Sequence, residues 1–259
     1  MLTRQAAVAG TFYPHDADEL RSQIVDLLEN NSREGAAPKV LIVPHAGYLY
    51  SGPVAAAAYS LLRQVAANIE RVVLLGPSHR VPLDGIALPE SEAFATPLGV
   101  IEVDKTACEE LKALEQICES ERAHQMEHSL EVHLPFLQVV LPSFRIVPMV
   151  VGNAEPGEVA EVIDRVWGGG ETLIVISSDL SHYHPYEDAA ELDAETTRAI
   201  GQLDDHLDGE QACGCMAING MMMTARKRGL HVSVIDLRNS GDTAGSRDSV
   251  VGYGAYELH

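Results

Sequence analysis

Three short apolar runs in this chain each end in a histidine. Residues 39–43 (KVLIV) lead into Pro44-His45-Ala46-Gly47, and residues 71–75 (RVVLL) into Gly76-Pro77-Ser78-His79. Residues 171–176 (ETLIVI) lead into Ser177-Ser178-Asp179-Leu180-Ser181-His182. Apolar runs this short, bounded by proline, glycine and serine, read as buried strands. If they are parallel neighbours, their carboxyl ends share the sheet edge at which open α/β folds bind ligands. Three imidazoles then converge, and imidazole ligates zinc, copper and iron and acts as an acid or base near neutral pH. A single strand-end histidine is ordinarily structural. Three at equivalent positions, in tight loops that expose the side chain, point to a site. Asp179, three residues before His182, is a carboxylate that could orient it.

Two other groups could belong to the same chemistry. In His128-Ser129-Leu130-Glu131-Val132-His133, a helix would put His128 and Glu131 on one face and His133 elsewhere. The spacing is not the HExxH of zinc proteases, which excludes that reading. The group is either a support or substrate contact for the site, or a polar helix face. Cys213-Gly214-Cys215 opens a methionine-rich helix. A thiol at a helix N-terminus has a lowered pKa and is primed as ligand or nucleophile; the alternative is a structural free cysteine. Met216, Met221, Met222 and Met223 read as soft core packing. The chain has no G-x-S-x-G elbow, no G-x-G-x-x-G turn and no Walker A loop. A serine hydrolase, a Rossmann dinucleotide site and a P-loop are therefore unsupported.

Helices must alternate with these strands to hold them in register. Residues 16–30 predict a helix opened by Asp16 with Glu19 three residues on. Further helices are expected over residues 52–67, 104–119, 127–140 (kinked at Pro135), 156–167, 187–203 and 213–228. Additional strands are expected over 145–151, 231–237 and 249–258. The result is an α/β fold, a central, mostly parallel or mixed sheet covered by helices on both faces, in one domain spanning 1–259.

The composition agrees. The chain has 259 residues, 46% hydrophobic and 22% charged, as in an ordinary globular protein. No apolar run reaches the ~20 residues of a membrane span, and no signal peptide is expected at the N-terminus. The net charge of −20 argues against nucleic acid and anionic lipid as partners. Four cysteines without a secretory signal read as reduced thiols in a cytoplasmic protein.

The motifs together resemble one family. Ala9-Gly10-Thr11-Phe12-Tyr13, the segment Pro44 to Gly52, Gly76-Pro77-Ser78-His79, the segment Glu127 to Pro135, Ser177 to His182 and Cys213-Gly214 are similar, in order and over nearly the whole chain, to the Memo family. The resemblance implies a fold like that of class III extradiol (LigB-type) dioxygenases, which hold Fe(II) with two histidines and one glutamate. It implies His45 and His79 as metal ligands, Cys213 in place of the carboxylate ligand, and His182 as the acid–base histidine. Tyr13, Tyr50, Asp179 and His128 are implied to line or support the pocket, with Glu131 and His133 beside them. Cys215 and Met216 stand where the animal proteins have arginine and histidine.

A thiolate in the ligand set favours softer metals than a carboxylate does, so dioxygenase activity does not pass with the fold. The expectation is a transition-metal site, iron or copper first and zinc next, in a metal-dependent oxidoreductase. The alternative is a non-catalytic metal- or peptide-binding partner of a radical SAM enzyme and an AMMECR-type protein. Family members in animals are associated with phosphotyrosine-type peptides. The acidic chain speaks against such an anion in this protein unless the pocket is locally positive.

Overall fold

The computed structural model of the protein describes residues 2–259. The strands are β1 (Thr3–Arg4), β2 (Val40–Val43), β3 (Arg71–Pro77), β4 (Ile86–Leu88), β5 (Ala93–Thr96), β6 (Gly99–Glu102), β7 (Ile117–Glu119), β8 (Arg145–Val151), β9 (Thr172–Ser177), β10 (His182–His184), β11 (Val232–Asn239) and β12 (Val250–Leu258). The helices are α1 (Ala17–Asn30), α2 (Tyr48–Ser60), α3 (Lys105–Leu111), α4 (Glu121–Gln125), α5 (Leu134–Val140), α6 (Pro156–Arg165), α7 (Tyr186–Gly201) and α8 (Cys215–Arg228). The large sheet runs β10-β12-β2-β9-β3-β8-β4-β7, with β11 paired to β12. Its centre, β2-β9-β3-β8, is parallel. β12 pairs antiparallel to β2, and β4 antiparallel to β8, so the sheet is mixed.

The central strands are buried along nearly their full length because helices cover both faces. Such strands need no polar face, which is why they read as unbroken apolar runs. α1, α2 and α5 pack on one another as one layer, and α6 packs on α8, which lies against β3 and β9. α1 starts on Asp16, whose side chain accepts from the amides of Asp18 and Glu19, and it buries Leu20, Ile24 and Leu28 at helical spacing. One continuous hydrophobic core joins these layers. The fold is the α/β arrangement expected.

Four local expectations differ from the structure. Residues 104–119 do not form one helix: α3 ends at Leu111, and Ile117–Glu119 become β7, paired parallel to β4. Residues 127–130 are irregular, 131–133 form a 3-10 turn, and α5 begins only at Leu134. Pro135 therefore opens a helix, where its missing N–H is not needed, instead of kinking one. α2 starts at Tyr48, a turn earlier than expected, and tightens into a 3-10 turn at Leu61. A small sheet, β1-β5-β6, was not anticipated; its short strands pair Thr3 with Ala93, far apart in sequence.

His124 at the end of α4 supplies a pH prediction. It is buried, and its Nε2–H donates to the Ala87 carbonyl at 2.9 Å. Burial holds its pKa down, to about 4 from 6.5. The fold thus favours the neutral ring. The associated stability is complete above about pH 6.5 and is lost as pH falls towards 4, on the order of 3 kcal/mol in all. Urea unfolding at pH 7 and at pH 4.5 should show this loss. The His124→Gln protein, which keeps a donor for Ala87 but cannot take up a proton, should show a flatter pH dependence.

Candidate metal centre

β2, β9 and β3 are parallel neighbours, so the loops after Val43, Ser177 and Pro77 meet on one edge. His45 is 2% exposed, and its Nδ1 lies 2.7 Å from the Ser177 hydroxyl. That hydroxyl donates its one proton to the Ser129 carbonyl at 2.6 Å. It must therefore accept from His45, and also from His133 Nε2 at 2.8 Å. His133 Nδ1 then accepts from the Tyr59 hydroxyl at 2.8 Å. The network is closed and assigns one tautomer: His45 carries its proton on Nδ1 and leaves the Nε2 lone pair free.

His79 is held the same way by a carboxylate. Its Nδ1 donates to Glu127 Oε1 at 2.9 Å, and its backbone amide to Glu127 Oε2 at 2.6 Å. Glu127 Oε1 also accepts from the amides of His128 and Ser129. Burial alone would raise the Glu127 carboxyl, but His79 and these amides outweigh it and hold it at about 2. One buried carboxylate thus fixes both His79 and the loop that carries His128. Gly76 permits the approach, since a Cβ there would come within 2.9 Å of Leu130 Cδ2 and the Ser129 hydroxyl.

The His79 and His128 rings stack with centroids 4.7 Å apart, and both meet His45 edge-on at 5.1 and 5.5 Å. One ligand nitrogen from each of the three lies within 4.8 Å of the others. Burial, and then the neighbouring imidazoles, hold the His45 pKa well below 6.5; burial lowers that of His128. Neutral rings keep the lone pairs that a cation needs. His128 Nδ1 is buried without a hydrogen-bond partner.

Cys213 Sγ stands 3.4 Å from His45 Nε2, and the Asp179 amide points at it from 3.3 Å. Gly214 allows this loop to close on β9, because a Cβ would meet the Ser177 carbonyl at 2.5 Å. α8 begins at Cys215, so Cys213 lies before the helix and not in its first turn. The expected lowering of its pKa is not found. Burial, and then the nearby Asp179 charge, push the thiol upward, so a thiolate at this position needs a cation beside it.

Asp179 does not hydrogen-bond His182. Its Oδ1 accepts from the His45 amide at 2.8 Å, and its Oδ2 lies 3.9 Å from His45 Nε2. Burial raises its carboxyl above the usual range. His182 stands on β10 and joins His45, His79, His128, Asp179 and Cys213 around a cavity of about 820 Å³. Tyr50 lines the same cavity. His79 and Cys213 also face a second cavity, of about 680 Å³, with Cys215 and Met216 in its wall.

Three residues expected to contact a bound molecule lie behind this wall. Glu131 is fully buried and accepts from Arg4, the amides of Ala7 and Val8, and the Tyr13 hydroxyl. Tyr13 and His133 are also buried, and neither lines the cavity. Their function is to brace: Glu131 with Tyr13 ties the N-terminal segment to the His128 loop, and His133 sets the Ser177 hydroxyl. Sequence reasoning missed Glu127, Ser177 and Arg4 as parts of the site, because each acts through a residue at least 44 positions away.

The motifs that converge on this edge recur in other proteins. A family model described as Memo-like protein matches residues 4–257. A MEMO1 family protein of Aquifex aeolicus is 38% identical, over 98% of each chain. One of Ignicoccus hospitalis is 36% identical, over 100% of this chain and 99% of the relative. Among solved structures, the uncharacterized protein JW3007 from Escherichia coli K12 matches with a TM-score of 0.50 at 12% identity. That match covers 83% of this chain and 98% of the other, and it speaks to the fold alone.

Proposed function

The chain belongs to the Memo-like protein family, and from that premise we propose that it is a transition-metal oxidoreductase. His45, His79 and Cys213 would hold the ion, and His128 is the competing third donor. The observation that carries this reading is the pair of locked tautomers. Ser177 and Glu127 hold the Nδ1–H groups of His45 and His79, leaving Nε2 as the lone-pair nitrogen of each ring. That of His45 faces the Cys213 thiol at 3.4 Å, and His128 Nδ1, without a hydrogen bond, lies 3.3 Å from Glu127 Oε1. Metal-binding histidines are ordinarily held in this way. Two imidazoles with a thiolate or a third imidazole suit copper, iron and zinc; the first two supply redox chemistry as well as Lewis acidity.

The chain's own part in a reaction is proton handling and positioning. His182 is the general acid or base, free to exchange a proton with a molecule in the cavity. Asp179 holds the His45 backbone in place. Phe12, Tyr50 and Tyr253 line the same cavity. A second reading is a non-catalytic metal- or peptide-binding partner of a radical SAM enzyme and an AMMECR-type protein. Among the described residues no helix is long and apolar enough to cross a membrane.

Anaerobic loading with Fe(II) or Cu(I) tests the assignment. Cys213→Ser should weaken binding by at least about tenfold, whereas Cys215→Ser should leave it unchanged. His182→Ala should retain the metal and lose oxygen consumption with a reductant present. A loss confined to His128→Ala would move the third ligand to that imidazole. A His182→Ala protein that keeps full turnover would rule out an oxidoreductase that relies on this histidine for its proton.

A further inference from the structure

The cavity over the imidazoles has a one-sided charge. Among the described residues no lysine or arginine lines it; its charged walls are the carboxylates Asp179 and Glu210. Arg80 opens on the second cavity instead, and Arg247 is stacked over Tyr186 at 4.3 Å. The Glu210 carboxylate has neither hydrogen bond nor ion pair, and the Asp179 side chain is 7% exposed with no hydrogen bond at Oδ2. Glu210 is exposed and available to a ligand, whereas Asp179 lies deeper, with Oδ2 3.9 Å from His45 Nε2. The pocket is thus not locally positive, and an anionic group entering it would meet carboxylates.

Aromatic rings stand at the same mouth. Tyr50 is 38% exposed and Tyr183 77% exposed, and both line the cavity. Tyr183 has φ +64°, in the left-handed region that a side chain of this size rarely adopts. It sits between His182 and His184, which pair with β12 across a register shift. The Tyr183 ring meets that of His182 edge-on at 5.7 Å and faces the cavity, and backbone strain of this kind collects at ligand sites. An aromatic face attracts cations, and a nearby carboxylate adds to the attraction.

We propose that the outer half of this cavity recognises a cationic group, an ammonium or guanidinium, between the rings of Tyr50 and Tyr183 and the carboxylate of Glu210. It discriminates against phosphate- and carboxylate-bearing ligands. The proposal deepens the oxidoreductase reading by naming the charge class of the substrate. It is tested on metal-free protein, so its outcome and that of the metal assignment are separable.

Three matched probes serve: benzylammonium, benzyl alcohol and benzoate, titrated at physiological ionic strength and followed by protein-observed NMR. Benzylammonium should bind best and benzoate at least about tenfold more weakly. Glu210→Gln and Tyr183→Ala should each weaken benzylammonium about two- to fivefold, the range expected for an exposed ion pair or cation–π contact. Glu115→Gln removes the same charge at an exposed site just before β7, at the opposite edge of the sheet from β10, and should have no effect because salt screens distant charges. Benzoate binding as tightly as benzylammonium would overturn the proposal. So would an equal loss in Glu115→Gln and Glu210→Gln, which would mean general attraction to an acidic protein, or an absence of binding by all three probes.

Discussion

Glu131→Ala is expected to destabilise the protein by about 3–5 kcal/mol, although Glu131 lines neither cavity at the site. Its carboxylate is fully buried and takes four donors: Arg4 Nη1 at 2.7 Å, the Ala7 and Val8 amides at 2.7 and 3.0 Å, and the Tyr13 hydroxyl at 2.6 Å. Arg4 is buried too, and its other donors reach the carbonyls of His124 at 2.7 Å and Glu127 at 2.6 Å. Removing the carboxylate strands a guanidinium, two amides and a hydroxyl without water. Replacing both partners, as in Arg4→Met/Glu131→Leu, should cost much less than the sum of the single changes, because no charge is then left unpaired. Urea unfolding of the four proteins gives the cycle. Additive costs would mean that the pair is not coupled, and a cost for Glu131→Ala below about 1 kcal/mol would mean that the segment is held by something else.

The second large effect is expected at Glu127. Glu127→Ala should reduce metal affinity about 10- to 100-fold without removing any proposed ligand, as loss of a group that orients a ligating histidine does elsewhere. The carboxylate makes four contacts with the His79 and His128 loops, and without it both imidazoles lose their fixed direction. Glu127→Gln keeps an acceptor for His79 Nδ1 and should recover part of the loss. Because the carboxyl is held at about 2, it stays ionised throughout the pH range of a binding assay. Burial lowers the pKa of His45 and His128, and the Glu127 charge pulls both back upward, so in Glu127→Gln the pH midpoint of metal uptake should move lower. Titration with Co(II), followed by its visible absorption, reads both quantities. Unchanged affinity in Glu127→Ala would show that the His79 loop needs no such anchor.

Much of this arrangement was legible in the residues. Two of the three expected strand-end histidines, His45 and His79, could be read because a buried parallel strand has a local signature, an apolar run closed by proline or serine, and parallel order brings its end to the common edge. The third, His182, stands five residues past β9, on β10, and His128 takes its place in the close trio. The bracing could not be read. Glu131 and His133 looked like a polar face on a helix, but that stretch is a 3-10 turn, and their partners Arg4 and Ser177 are distant in sequence. Glu127 sits in the motif without any local sign of its hold on His79, 48 residues away. Cys213 looked like a helix-terminal thiol. A helix that starts two residues later, the burial of the thiol and then the Asp179 charge beside it reverse the direction of its pKa. The small β1-β5-β6 sheet escaped notice because strands of two to four residues carry too little periodicity to stand out.

If the convergent imidazoles hold a transition metal, the ion should travel with the protein through purification. Elemental analysis of untagged protein purified without oxygen, beside its His45→Ala/His79→Ala variant, tests this most directly. Close to one iron or copper ion per chain is expected in the first and none in the second, with the variant still folded by circular dichroism. Absence of metal from both, even after anaerobic loading with Fe(II) or Cu(I), would contradict a metal centre at this edge of the sheet.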